Sequence, residues 1–160
     1  MQIFLCKTDT YIGKGDHKNM AYSALEVAKY VINHEHGAGR QITNLRLQKL
    51  LYFVQAKVLV ETGNPCFDDE MEAWDYGPVS STVYHNYKFF GAWNLMDEPK
   101  PPKIPNETLV NDMLDKCAAY PTNQLVEITH SQRPWREAYA KGRGTVIHNK
   151  DIREFFLNGK

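Results

Sequence analysis

Residues 43–60, TNLRLQKLLYFVQAKVLV, decide the fold. Leu47, Leu50, Leu51, Val54 and Val58 recur at helical spacing and form one stripe. Leu45, Tyr52, Phe53, Ala56 and Leu59 cover much of the remaining circumference. A helix that is apolar almost all round belongs at the centre of its domain, because no single neighbour can cover it. Thr43 or Asn44 supplies the N-cap, and Gly63, Asn64 and Pro65 end the helix. Lys49 lies inside this most apolar segment, where a depressed-pKa amine is one reading and a snorkelling or paired lysine the commoner one.

Working outward, Ser23 and Glu26 have capping-box spacing and open a helix with Ala24, Val27, Ala28 and Val31 on one face. Gly37 and Gly39 stop it. Downstream of the central helix, residues 66–74 read as a short strand or hairpin. Tyr76, Gly77 and Pro78 then make a turn that feeds a helix, with Pro78 in its first turn and Val79, Val83, Tyr87 and Phe90 on its face. The proline-rich stretch at 99–105 is a semi-rigid connector. Asn106 caps a helix carrying Val110, Met113, Leu114 and Cys117, and Thr122 caps a short one through Leu125, Val126 and Ile128. Pro134 opens another with Trp135, Ala138 and Tyr139; residues 141–145 form a glycine-containing loop, and Ile152, Phe155 and Phe156 line a last helix. The sum is a mainly α, single compact multi-helix domain with a minor β-hairpin or strand element. Residues 1–20 read as an extended arm or short strand outside it.

Composition agrees. A chain of 160 residues matches one domain and buries enough surface to fold without staples. Three cysteines without CxxC spacing argue against a disulfide scaffold or a zinc cluster, and point to a reducing cytoplasm. No stretch approaches 18 apolar residues, so no membrane span is expected. Lys plus Arg and Asp plus Glu both number 19, and this zero net charge disfavours a mainly phosphate-neutralising DNA binder.

Locally the charge is uneven. Residues 66–98 hold seven acids against Lys88, whereas residues 130–160 hold seven bases against Glu137, Asp151 and Glu154. Either these lobes face one another or water, or the acidic one meets a basic partner. The cluster Asp68, Asp69, Glu70 and Glu72 lacks the spaced ligands and central glycine of a calcium loop and reads as a solvated face. His34 and His36, two apart on a helix, do not converge on one ion; they suit a helix C-terminus. The segment Gly13-Lys14-Gly15 is too short for a phosphate loop. Cys117 with His130 lacks an orienting third group, and Cys117 lies on an apolar stripe. The stretch THSQRPW at 129–135 fits a packed interhelical corner better than an exposed aromatic hot spot. No catalytic residue, metal site or cofactor is assigned.

Three segments, TNLRLQKLLYFVQA at 43–56, EAWDYGPVSSTVYHNYKFFG at 72–91 and LVEITHSQRPWREA at 125–138, together resemble the Panacea domain, the SocA-like antitoxin family that includes GepA-type phage-associated proteins. The resemblance assigns residues 21–160 to that domain. It implies a helical bacterial, prophage or plasmid protein that neutralises a toxin, encoded by an adjacent gene, through protein contact. Its pattern carries over to Leu47, Lys49, Leu50, Leu51 and Tyr52, to Ala73, Trp74, Tyr76, Gly77, Pro78, Val79 and Tyr84, and to Thr129, His130, Pro134 and Trp135. Most of these suggest scaffold. The candidate partner contacts are Asp68, Asp69, Glu72, Asp75, Tyr76, Tyr84, Trp93, His130 and Trp135. Some family members add a DNA-binding domain, for which this chain has no room, so DNA binding is not expected. Two rival expectations are a phage accessory protein that binds a host factor, such as a protease or defence protein, and a hydrolase built on His130 and Asp75.

Overall fold

The computed structural model describes residues 22–159, so the expected arm at 1–20 lies outside the described residues. Seven α-helices and a small sheet follow in the order α1 (Ala24–Gly37), α2 (Asn44–Thr62), β1 (Met71–Trp74), β2 (Gly77–Val79), α3 (Ser81–Tyr87), α4 (Glu107–Cys117), α5 (Thr122–Ser131), α6 (Arg133–Lys141), β3 (Val146–Ile147) and α7 (Asn149–Asn158). The architecture is mainly α, as the periodicity predicts.

Helix α2 is the axis. It packs against α1, α3, α4, α5, α7 and β2. Every residue from Leu47 to Leu59 is buried. Each large apolar side chain withdrawn from water contributes roughly 1.5–3 kcal/mol, so this one helix organises most of the core. Thr43 caps it by accepting the Arg46 N–H, and Gly63, in the left-handed region at φ 76°, ends it. The predicted capping box of α1 is present: Ser23 accepts the Glu26 N–H while the Glu26 carboxylate accepts the Ser23 N–H. At the other end of α1 the buried Glu35 holds Arg40 through two hydrogen bonds of 2.8 and 3.0 Å. His34 and His36 sit in its last turn, paired with Asp115 and Asp97.

The sheet is antiparallel with order β2-β1-β3. Glu72, Ala73 and Trp74 oppose Val79, Pro78 and Gly77, while Met71 and Glu72 oppose Ile147 and Val146. One element departs from the sequence expectation. Pro78 and Val79 lie in strand β2 and not in the first helical turn; α3 begins at Ser81, with Ser80 accepting the Val83 N–H as its cap. A two-residue turn, Asp75 and Tyr76, folds β2 back onto β1, and proline is tolerated because β2 is an edge strand. Two caps also differ. Asn106 precedes α4 in a left-handed conformation and makes no side-chain cap, and Thr122 is the first residue of α5, after Pro121. The Thr122 hydroxyl instead accepts from Arg46, whose guanidinium also donates to the carbonyls of Cys117 and Tyr120 and so closes the end of α4.

Candidate protein-interaction surface

The surface is built from inside. Helix α2 carries a row of buried polar side chains, and they hold the main chain of the irregular segments. Gln48 accepts the Ser80 N–H at 2.9 Å and donates to Asn44, which donates to the Tyr84 carbonyl. Gln55 accepts the Cys66 N–H and donates to the Phe67 carbonyl, at 2.8 and 2.9 Å. Tyr52 donates to Gln132. Lys49 follows the less common of its two sequence readings: it does not snorkel, and among the described residues it has no carboxylate partner. It is wholly buried, and its Nζ donates to the Pro78 carbonyl at 2.6 Å. Burial holds its ammonium well below the ordinary lysine range.

Above Lys49 the hairpin is locked. Gly77 has φ 103°, and a Cβ there would stand 2.6 Å from Thr129 Oγ1 and 2.7 Å from Lys49 Nζ. Glycine is required by both conformation and space. The adjoining THSQRPW segment forms an interhelical corner: His130 stacks on Trp135 with centroids 4.2 Å apart, and Trp135 stacks on Tyr139 at 4.7 Å. Trp135 Nε1 donates to the Trp74 carbonyl, pinning α6 to β1. His130 Nε2 is buried without a hydrogen-bond partner among the described residues.

Outside that corner lies a second aromatic group. Trp74 packs on Tyr84 at 4.9 Å, donates to Glu72, and carries the Arg143 guanidinium over its ring at 4.6 Å. Asp75 accepts from Tyr139 and pairs with Arg143, so the acidic middle and the basic end of the chain meet here. The Asp75 carboxylate pushes the Tyr139 hydroxyl above its ordinary value. At the tip of the turn stands Tyr76, 66% exposed on a fixed base.

The fold therefore gathers Glu72, Asp75, Tyr76, Tyr84, His130 and Trp135, far apart in sequence, around Trp74. It does not gather the others. Asp68 is exposed, but Asp69 accepts the Ala24 N–H and serves the entrance to α1. Trp93 lies on a separate loop after α3. The scaffold residues Leu47, Leu50, Leu51, Tyr52, Ala73, Val79, Thr129 and Pro134 are buried. Tyr139 and Arg143 belong to the corner although sequence reasoning did not select them; Tyr139 stands four residues after Trp135, the spacing that places two rings on one helix face.

The loop bearing Trp93 is a different kind of surface. A 3₁₀ turn, Lys88–Phe90, leads into it. Its main chain is well tied: Trp93 N–H donates to Phe90, Leu95 N–H donates to Ile42, and Asn94 bridges to Thr43. Leu95 is buried, yet Phe89, Trp93 and Met96 are 94%, 80% and 72% exposed.

Neither thiol of the described residues is available as a nucleophile. Cys66 and Cys117 are buried, and burial pushes both up to about 12. No described helix is long and apolar enough to cross a membrane.

The fold and the corner define a class: a mainly α domain in which a short antiparallel sheet is clamped onto a central polar-seamed helix. The family described as "Antitoxin SocA-like, Panacea domain" matches residues 47–136, from the core of α2 through the corner to α6. The chain belongs to that family. It is similar to Antitoxin SocA of Caulobacter vibrioides (strain NA1000 / CB15N), at 28% identity over 139 residues, spanning 78% of this chain and 73% of the relative. No solved structure matches.

Proposed function

We propose that this protein is a non-enzymatic antitoxin that acts in the cytoplasm and neutralises a cognate protein toxin by direct binding through the hairpin face. Family membership supplies the antitoxin role. The observation that carries the mode of action is Tyr76, two-thirds exposed on a turn whose base is fixed by Lys49, Trp74 and Asp75. An aromatic presented on a rigid base loses little entropy on binding, and tyrosine, tryptophan and arginine dominate the energetics of protein interfaces. Trp74, with Tyr84 and Arg143 packed on it, stands next to this turn and can widen the contact. The neutral chain with an acid-bearing turn suits a protein surface better than a phosphate backbone.

The test is co-expression with the product of the adjacent gene. That product is expected to arrest growth alone and to co-purify with the wild-type chain, and Tyr76→Ala is expected to weaken rescue at unchanged antitoxin abundance. A harmless neighbour product that forms no complex would remove the reading.

A further inference from the structure

Helix α2 holds the outer edge of strand β2 with two neighbouring side chains. An edge strand turns a row of main-chain groups away from its sheet, and here the Pro78 carbonyl and the Ser80 N–H, two residues apart, meet α2 instead of another strand. Gln48 accepts from Ser80 at 2.9 Å, and Lys49 Nζ donates to Pro78 at 2.6 Å. Gln48 is the same group at every pH, and Lys49 is not.

The elements packed around Lys49 give it no counter-charge. From β2 it meets Gly77 and the Pro78 carbonyl, and from α5 it meets Thr129, whose hydroxyl donates to the Val126 carbonyl. The titratable groups of the same elements are engaged elsewhere. Tyr52 donates to Gln132, Arg46 donates to the carbonyls of Cys117 and Tyr120, His130 stacks on Trp135, and Asp75 pairs with Arg143. Desolvation alone therefore acts on Lys49 among the described residues, and it disfavours the ammonium. A neutral amine leaves one N–H unbonded here, whereas an ammonium leaves two and a charge as well. Water must reach Nζ before a proton can stay on it. The walls are unequal: α2 is buried from Leu47 to Leu59, while β2 is three residues long, lies at the sheet edge and begins at the exposed turn of Asp75 and Tyr76. Strand β2 is the wall that gives way.

We propose that Lys49 is a proton-operated release for the hairpin: when its amine takes up a proton, β2 parts from α2 and the turn that carries Tyr76 loses its fixed base. The sign follows from linkage. The open form binds the proton more readily than the closed one, so opening becomes easier as pH falls from the ordinary lysine range and levels off once the closed form is itself protonated. A single proton raises the opening constant by at most about tenfold per pH unit. The release is a property of the domain alone. Its consequence, weaker toxin binding on acidification, rests on the proposed function.

Hydrogen exchange of the full chain without toxin tests the release. The Ser80 amide, held by Gln48, reports the parting of β2 from α2, and the Leu51 amide, inside α2, reports global unfolding. Corrected for its intrinsic rate, Ser80 exchange is expected to speed up as pH falls from about 9 to about 5, and to ignore low concentrations of urea that accelerate Leu51. Lys49→Met is expected to remove the pH dependence of Ser80 opening. In wild-type protein isotope-labelled at lysine Cε, the Lys49 resonance is expected to show a charged amine only in the open form. A Ser80 opening that is independent of pH overturns the inference, and so does one that follows Leu51 in urea. So does a Lys49→Met protein that keeps the pH dependence, or a charged Lys49 seen while Ser80 stays protected. Three of these readouts use the wild type alone, so they decide the matter even where Lys49→Met does not fold. None involves the toxin, which keeps them separate from the co-expression result.

Discussion

The two aromatic regions of this molecule use the same residue types in opposite ways. At the corner, Trp74, Trp135 and Tyr139 each have a polar atom engaged, with Glu72, the Trp74 carbonyl and Asp75 respectively, and each ring rests on another group. In the loop after α3 the main chain is equally well tied, but Phe89, Trp93 and Met96 leave their side chains in water. An aromatic held by its edge and its face stabilises the fold. One held only by its backbone is available to a partner. Tyr76 combines the two, an exposed ring on a base built by the corner.

The corner breaks most severely at its base. Gly77→Ala forces a Cβ into Thr129 and Lys49 at a φ of 103°, and the combined strain and overpacking should cost about 4 kcal/mol, read as a lower urea midpoint. Trp135→Ala removes both stacking partners' shared ring and the bond to β1; because the ring is half-buried the loss should be about 2–3 kcal/mol in the same assay.

Lys49 sharpens the contrast through pH. Its pKa in the folded chain lies well below that of an unfolded lysine, about 10.4, so between the two values the unfolded chain binds more protons. Stability should therefore rise with pH as pH climbs from the folded value towards the unfolded one, by at most about 1.4 kcal/mol per unit, and not at all below the folded value. The cost is absent above the unfolded pKa and is complete once pH falls through the folded one. Lys49→Met, which cannot titrate, should flatten this component of the profile in equilibrium unfolding across that range.

The loop should show the smallest effect. Trp93→Ala, measured in dilute solution, should change unfolding free energy by less than about 0.5 kcal/mol, because the side chain is 80% exposed. A large loss there would erase the distinction between the two regions.

How much of this could be read from the residues follows from the same contrast. Helix α2 was legible because an apolar circumference over five turns has no other home. Its polar seam was not. Gln48, Lys49 and Gln55 all bond main-chain atoms of distant segments, and a main-chain acceptor leaves no mark in the sequence. Strand β2 was hidden because Gly-Pro-Val-Ser-Ser fits an edge strand followed by a cap as well as it fits a helix start. Strand β3, two residues long, carries no period at all. The corner was recognisable at THSQRPW, but its outer half depends on Arg143 returning from a loop to meet Asp75. Asp69 looked like one more solvated acid, and only the fold shows that it receives the first N–H of α1. Trp93 is recognisable only by its residue type. Nothing in the spacing of Phe89 and Met96 separates them from core positions.

The seam of α2 has one more consequence. Because its side chains grip the peptide groups at 66–67, 78, 80 and 84, these tethers do not depend on the side chains that the exposed positions of those segments display. At Ser80, for example, the N–H that Gln48 accepts belongs to any residue except proline. The interior thus works as a fixed chassis with exchangeable fittings: exposed positions such as Tyr76, Thr82 and His85 can be rewritten to suit a new partner while the same grip keeps the hairpin and α3 in place.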